Sequence, residues 1–263
     1  MSERGLAELS RRGLLGSRRI GDLQFCEHCI FGKQTRLKFS RSAHTTRAIL
    51  DYVHTDLWGP APVASKGGRN YLLTFIDDFS RKVWVYILKS KDETFSHFLK
   101  WKAMVETQTE RKVKYLKSDN GTEFRSREFE KYCQDAGITR HYTTVGTPQQ
   151  NGVAERMNRT LLEKTRCMLS HARLPQSLWA EAVTTACYLV NRSPSTAIEC
   201  KTPKEVWSGK PPQYDHLRLF GCPAYVHVRQ NKLEPRALKC VFLGYGDGVK
   251  GYRLWCKDFR PLR

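Results

Sequence analysis

Three carboxylate residues stand in local sequences that could place them around a pair of metal ions. Asp56 and Asp119 each follow a short apolar run, and Glu155 begins a long helical pattern. Phosphoryl transfer on nucleic acids uses two divalent cations about 4 Å apart, and hard cations such as Mg²⁺ prefer oxygen ligands. If the strands that carry the two aspartates are neighbours, both side chains emerge at one edge of a sheet, within reach of the helix. The three residues therefore predict a catalytic site that depends on Mg²⁺ or Mn²⁺.

Each of these carboxylates also has a purely structural explanation. Asp119 precedes Asn-Gly, a pair that favours a turn, and Glu155 near a helix N-terminus complements the helix dipole. The combination is more specific than its parts, because 35 residues separate Asp119 from Glu155 and both stand in distinctive local sequence.

The elements that must position these residues follow from the apolar periodicity. A three-strand meander, then alternating helices and strands, then paired helices predict an α/β core. After residue 200 the pattern changes to three short strands, too few to close a barrel by themselves. The predicted strands are 52–57, 71–76, 82–88, 113–116, 141–145, 222–228, 240–244 and 251–255, and the predicted helices are 91–107, 126–136, one that follows 146–152, and 176–192.

The charge indicates a polyanionic partner. The net charge is +19, and residues 1–49 and 222–263 each contribute +6 of it. Basic ends around a nearly balanced middle predict two nucleic-acid-binding flanks on a catalytic core. The chain has no apolar run of about 18 residues and no signal-peptide pattern, so we expect no membrane partner.

The cysteines favour a reduced, intracellular protein. There are nine, an odd number without a regular framework. We expect six of them to be small buried hydrophobic residues: Cys133, Cys167, Cys187, Cys222, Cys240 and Cys256.

Long strings of the sequence resemble the integrase region of copia-class LTR retrotransposon Pol polyproteins. They include HTDLWGP, FIDDFSRKVWVYILKSKDE, KSDNGTEF, GTPQQNGVAERMNRTLLEK and FLGYGDGVKGYRLW, and the match spans essentially residues 2–257. Asp56, Asp119 and Glu155 resemble the Asp-Asp-35-Glu signature of such integrases. The resemblance implies a truncated zinc module and linker at 1–47, a ribonuclease-H-like catalytic core with a mixed five-stranded sheet at 48–215, and a partial SH3-like domain at 216–263.

The same resemblance implies an activity and partners. Asp56 and Asp119 are expected to bind the Mg²⁺ ions and Glu155 to complete the site, so that the 3′-hydroxyl end of element DNA is joined to target DNA. Joining two ends implies a homo-multimer, and the expected location is the nucleus, or a cytoplasmic particle, if the chain is expressed.

Three further residues match family positions that face DNA: Gln149, Asn151 and Arg159. Arg159 lies four residues after Glu155 and therefore shares its helix face.

The zinc module is incomplete in this sequence. Cys26 and Cys29 match the cysteine half of a His-His-Cys-Cys site, whereas the two histidines should precede residue 1. A structural zinc site needs four ligands, so Zn²⁺ binding is expected only if upstream histidines are present.

Two alternatives to an active integrase stay open. The first is a truncated, catalytically inactive nucleic-acid-binding remnant of the same element. The second is a ribonuclease-H-type nuclease, which would need a fourth carboxylate from the helix after the hairpin. Asp92 or Glu93 could supply it, although capping of that helix explains both equally well.

Overall fold

The computed structural model describes residues 46–143, 151–228, 235–246, 248 and 250–256. They fall within one compact unit, Thr45–Arg263. Their strands are β1 (Tyr52–Trp58), β2 (Tyr71–Asp77), β3 (Val83–Leu88), β4 (Tyr115–Ser118), β5 (Thr139–Tyr142), β6 (Pro223–His227), β7 (Ala237–Tyr245) and β8 (Tyr252–Trp255). Their α-helices are α1 (Glu93–Thr109), α2 (Arg127–Asp135), α3 (Gly152–Ala172), α4 (Trp179–Val190) and α5 (Pro203–Ser208). In this described part of the chain, no helix is long and apolar enough to cross a membrane.

Five strands form one mixed sheet in the order β3-β2-β1-β4-β5. The first three are an antiparallel meander, and β4 and β5 are added parallel to β1. The prediction of a mixed five-stranded sheet is confirmed. Because β1 and β4 are parallel neighbours, their C-terminal ends meet at the same edge, which is the arrangement that the carboxylate hypothesis requires.

A polar network fixes the hairpin between β2 and β3. Asp77 is fully buried and accepts hydrogen bonds from the Leu50 amide (2.7 Å), the Ser80 amide (2.8 Å) and the Ser80 hydroxyl (2.6 Å). Asp78 pairs with His54 at 2.9 Å and with Arg81 at 3.0 Å. Both aspartates therefore have structural partners within or beside the hairpin.

The two faces of the sheet bury separate apolar clusters. On one face α1 and α2 pack, and the Phe75 and Trp101 rings stack at 4.4 Å between centroids. On the other face α3 and α4 pack, with Leu161 and Ala182 fully buried. Alternation along β1 sends Val53 to the first face and Trp58 to the second, so Asp56 belongs to the α3–α4 face.

Helix α3 carries the predicted apolar stripe. Ala154 and Leu161 are buried, and Met157 and Met168 pack against the same cluster. The helix ends where Arg173 adopts a left-handed conformation, and its amide bonds the Leu169 and Ser170 carbonyls. The stripe holds the first turn of α3 against the sheet.

The C-terminal sheet, in the order β6-β7-β8, packs on α4. The Thr185 hydroxyl donates to the Leu243 carbonyl at 2.7 Å, and Leu243 is part of the apolar cluster of the α3–α4 face. The three predicted short strands are confirmed within a few residues at each end, and the sheet is covered on one side by the core.

The expectation for the cysteines was wrong for several of them. Cys133 and Cys187 are buried, but Cys167 is exposed. Cys240 and Cys256 form a disulfide, because the pairing of Val241 with Trp255 sets them opposite each other on β7 and beyond β8. The spacing of apolar residues along the sequence does not reveal the register of β7 with β8, so it could not predict this disulfide.

Candidate active site

The two aspartates lie at equivalent positions beyond the paired part of β1 and β4. His54 pairs with Lys117, and Asp56 and Asp119 each follow their paired residue by two positions. Neighbouring strands lie about 4.8 Å apart, so the two carboxylates stand side by side at one edge of the sheet.

Glu155 reaches this edge from the first turn of α3. Asn158, one helical turn further on, donates its side-chain amide to Oδ2 of Asp56 at 2.8 Å. Glu155 and Asn158 are three positions apart and therefore share one face of α3. This face contacts the end of β1 and also carries the third carboxylate.

The other two candidate carboxylates both act electrostatically on Asp56. Burial, then the charge of Asp119 and, to a smaller extent, the charge of Glu155 together raise the pKa of Asp56 to about 6. The hydrogen bond from Asn158 opposes this rise. The ionised form of a partly buried carboxylate beside two others is favourable only when a cation compensates the negative charge.

Two buried amides hold the Asp56 carboxylate from both sides. Asn158 is 4% exposed and bonds Oδ2, whereas Asn151 is 2% exposed and approaches Oδ1 at 3.4 Å. The Oδ1 atoms of both asparagines are buried without a hydrogen-bond partner. Sequence reasoning identified Asn151 only as a DNA-facing position and missed Asn158, whose one signal is its spacing of three from Glu155.

The turn after β4 presents Asp119. Its Oδ1 accepts the Gly121 amide at 3.1 Å, and the Asn120 amide donates to the Thr143 carbonyl. The Asn-Gly turn that could explain Asp119 structurally is present, and it leaves Oδ2 without a described hydrogen bond.

A cavity of about 310 Å³ opens beside these groups. Asp56 and Glu155 line one part of it, and Arg159 and Arg166 line another. Leu57, Trp58, Asn158 and Leu162 complete its lining. Arg159, which was predicted to face DNA, lines the cavity. Arg166 also lines it but was not identified from the sequence. Carboxylates beside guanidinium groups suit a phosphodiester that is held next to metal ligands.

The donor set fits a hard divalent cation, although it is not assembled as a closed metal site. In the part of the chain that the structure describes, no three His, Cys, Asp or Glu side chains are close enough together to hold a metal ion. The amides of Asn151 and Asn158 occupy the Asp56 oxygens, and the negative charges of Asp119 and Glu155 disfavour the ionised form of Asp56. All three candidate ligands offer carboxylate oxygen, which Mg²⁺ prefers.

Three of the predicted site residues lie outside the described residues: Gln149, Cys26 and Cys29.

The carboxylates proposed for the nuclease alternative have other environments. Glu93 accepts the Lys89 amide at 3.0 Å and lies 3.6 Å from Arg69. Asp92 is exposed and occupies the N-cap of α1 without a side-chain capping bond. Glu93 is thus engaged at its own helix terminus, on the α1 face of the sheet.

Comparison with protein families gives two matches. Residues 48–148 match the integrase core domain, and residues 222–260 match the retroviral polymerase SH3-like domain.

Curated relatives extend these matches over most of the chain. A Pol polyprotein from transposon TNT 1-94 of Nicotiana tabacum is 51% identical over 97% of this chain and 19% of its own length. A Pol polyprotein from transposon RE2 of Arabidopsis thaliana is 34% identical over 86% of this chain and 16% of its own. The chain therefore spans less than a fifth of the length of these relatives.

The fold has counterparts among solved structures. A chain in the cryo-EM structure of the simian T-cell lymphotropic virus intasome in complex with PP2A regulatory subunit B56 gamma matches with a TM-score of 0.55 at 18% identity. The match covers 88% of this chain and 85% of that one, and it supports the ribonuclease-H-like architecture predicted from the sequence.

Proposed function

Since the chain belongs to the integrase region of copia-type retrotransposon Pol polyproteins, we propose that it joins 3′-hydroxyl ends of element DNA to target DNA by divalent-metal-dependent phosphoryl transfer. The observation that carries this proposal is the convergence of Asp56, Asp119 and Glu155. They come from two parallel strands and one helix, and the charges of Asp119 and Glu155 both raise the pKa of the Asp56 carboxyl. Asp56 and Glu155 line a cavity that also contains arginines.

The protein's part in this chemistry is to hold and orient. Asp56 and Asp119 would hold Mg²⁺ or Mn²⁺ between the strand ends, with Glu155 completing the ligand set from α3. The ions would supply Lewis acidity for the attacking and leaving oxygens. Asn158 keeps the Asp56 carboxylate directed toward the cavity.

The two arginines of the cavity are proposed to bind the DNA backbone. Arg159 and Arg166 lie one and three turns beyond Glu155 along α3 and line the same cavity. Their guanidinium groups can bind phosphate oxygens on either side of the scissile phosphodiester. We further propose that the active form is a homo-multimer, because concerted joining engages two element ends, and that it acts in the nucleus.

The test is a strand-transfer assay on short duplexes that carry the terminal sequence of the element, with Mg²⁺ or Mn²⁺. We expect joined product from the native chain and none from Asp56→Asn, Asp119→Asn or Glu155→Gln. The matched control is Glu128→Gln, which removes an exposed carboxylate from α2. Metal-independent DNA binding by a folded native chain that yields no joined product would instead favour the inactive nucleic-acid-binding remnant.

A further inference from the structure

Three cationic side chains meet at the β3 edge of the sheet, away from the carboxylates. Lys82 precedes β3, and its Nζ lies 5.2 Å from the Trp84 ring centroid and 5.1 Å from that of Trp207. Arg192 and Lys204 act electrostatically on Lys82. We call Lys82, Trp84, Arg192, Lys204 and Trp207 the basic–aromatic cluster.

The backbone under this cluster is firmly held. Asn191, at the end of α4, accepts the Val83 amide at 2.9 Å and donates to the Val83 carbonyl at 2.8 Å. The Asn191 carbonyl in turn accepts the Lys204 amide at 2.8 Å. A complete capping box between Thr202 and Glu205 fixes the start of α5. Residues more than 100 positions apart are thus presented as one preformed surface.

The charges of the cluster are not compensated inside the described protein. Burial, together with the charges of Lys204 and Arg192, lowers the pKa of Lys82 to about 8. Burial and then Arg192 lower the pKa of Lys204. Among the described residues, no carboxylate forms an ion pair with any of the three cations. Asp77, the carboxylate that acts on Lys82 from a distance, is already saturated by Leu50 and Ser80.

Aromatic surface continues from the cluster onto the C-terminal sheet. The Arg192 guanidinium lies 3.3 Å above the Tyr188 ring, and Tyr188 stacks on Tyr245 at 3.9 Å. Arg218 lies 5.9 Å from the ring of Tyr252, which is 42% exposed. Cations interleaved with aromatic rings suit the backbone of a nucleic acid, because the cations bind phosphates and the rings can pack against sugars.

The position of the cluster separates it from the carboxylates. The Trp84 and Trp207 side chains pack on the α1 face of the sheet, whereas Asp56 belongs to the α3–α4 face. Arg192 follows the end of α4, so the cluster spans both faces at the β3 edge. Edge strand β3 also lies two strands from β1. From this arrangement we infer that the basic–aromatic cluster binds the phosphodiester backbone of a second DNA segment, distinct from the one that meets Asp56.

Duplex DNA, rather than an acidic protein, is the occupant that the chemistry favours. An acidic peptide would satisfy the three cations but not the run of rings from Trp207 to Tyr252. The choice of DNA over other polyanions rests on the proposed function, which already requires an element end and a target.

The first experiment measures binding of a short duplex of arbitrary sequence by fluorescence anisotropy in EDTA, where no joining occurs. We expect Lys82→Ala/Arg192→Ala/Lys204→Ala to lower the affinity roughly tenfold or more and to make the slope of log K against log[salt] shallower by about 2 to 3. The charge-matched control is Lys100→Ala/Arg111→Ala/Lys131→Ala, three exposed cations of α1 and α2 and the segment after α1. It should change the slope less than the cluster variant does.

A milder variant guards against loss of folding, because Lys82 is half-buried. Lys204→Glu reverses one charge on the first turn of α5, and it should weaken binding while the circular dichroism and unfolding temperature stay as in the native chain. Equal affinity and salt slope in the triple variant, its matched control and the native chain would overturn the inference. A different result would be that poly-glutamate competes for binding as strongly as unlabelled DNA does, and that this competition disappears in the same variants. That result would assign the cluster to an acidic protein and would also overturn the inference.

The second experiment separates this inference from the proposed function. Trimming of an element end needs one duplex, whereas joining needs two. We expect the Lys204→Glu variant to trim at the native rate and to join at least about tenfold more slowly at limiting target DNA. If the native chain neither trims nor joins, the proposed function fails, and the binding experiment in EDTA still decides on the cluster. Joining at the native rate would count against a second DNA segment at this surface.

Discussion

The side-chain amide of Asn158 donates a 2.8 Å hydrogen bond to Oδ2 of Asp56 and so ties helix α3 to the central strand β1. Asn151, at the N-cap of the same helix, approaches the other carboxylate oxygen at 3.4 Å. The orientation of the first aspartate is therefore set by the helix that supplies the third carboxylate. Any shift of α3 would move Glu155 and reorient Asp56 together.

We expect Asn158→Ala to slow DNA joining by about 10- to 100-fold, the usual effect of removing a side chain that orients a metal ligand. Asp56 would lose the hydrogen bond that favours its ionised form. A larger Mg²⁺ concentration for half-maximal rate, measured by titration, would mark a positioning role. Thr160→Ala, a neutral change on the same helix, is the control. An unchanged rate and Mg²⁺ dependence in Asn158→Ala would show that the bond is incidental.

We expect Asp56→Asn to stabilise the metal-free protein while abolishing joining. Burial and the charges of Asp119 and Glu155 raise the pKa of Asp56 to about 6, so its ionised form destabilises the fold at neutral pH. Removing that charge should raise the free energy of unfolding by about 2 kcal/mol. Urea unfolding at neutral pH with a chelator measures it. Equal stability of the variant and the native chain would mean that burial and the neighbouring carboxylates do not disfavour the ionised form of Asp56 appreciably.

The fold and the candidate carboxylates were accessible from the sequence because they depend on local pattern. The run that ends in Asp56 and the run that ends before Asp119 have strand character, and strand adjacency was the one assumption needed. Parallel pairing of His54 with Lys117 supplies it. Glu155 was identified by its place at the start of a long helical pattern and by the 35 residues that separate it from Asp119.

The residues that the sequence could not identify depend on long-range contacts. The spacing of Asn158 from Glu155 is its one local signal, and this spacing indicates a role only once the contact with β1 is known. Lys82 and Lys204 are 122 positions apart and meet only because Asn191 joins α4 to β3 and α5. The Cys240–Cys256 disulfide likewise depends on the register of β7 with β8.

We expect the network around Asp78 to make the protein labile to acid. Burial opposes ionisation of Asp78, but hydrogen bonds from His54 and Thr46 and the charge of Arg81 outweigh it and hold its pKa at about 2. A folded-state pKa below the unfolded value of about 3.9 stabilises the fold above that pH. This contribution, about 2 kcal/mol, should be lost as the pH falls from about 4 to 2.

The Asp78 prediction is checked by unfolding in urea across that pH range. Asp78→Asn should be less stable at neutral pH by about 2 kcal/mol and should lose less stability on acidification. Asp135→Asn, which changes an exposed carboxylate of α2, should behave as the native chain does. Parallel pH profiles for Asp78→Asn and the native chain would contradict this assignment.

We expect the contact between α4 and the C-terminal sheet to depend on Gly244. Its φ is +148°, and a Cβ at this position would overlap the Thr185 hydroxyl, which itself bonds the Leu243 carbonyl. Gly244→Ala should therefore lower the free energy of unfolding by about 2 to 4 kcal/mol through backbone strain and separation of β7 from α4. Gly248→Ala is the control, because Gly248 also has a positive φ but an added methyl group there would meet nothing within 4 Å. Its cost should be about 1 kcal/mol, from the backbone alone.

A double variant tests whether a side chain at position 244 is destabilising because it overlaps Thr185. Thr185→Ala opens space beside Gly244 but removes the bond to the Leu243 carbonyl. Because the methyl group of Gly244→Ala would then have room, the double variant should be less destabilised than the sum of the single ones. Chemical unfolding of the native chain, both single variants and the double variant measures the four stabilities. Strict additivity would mean that the two residues act independently and that other contacts hold the sheet to α4.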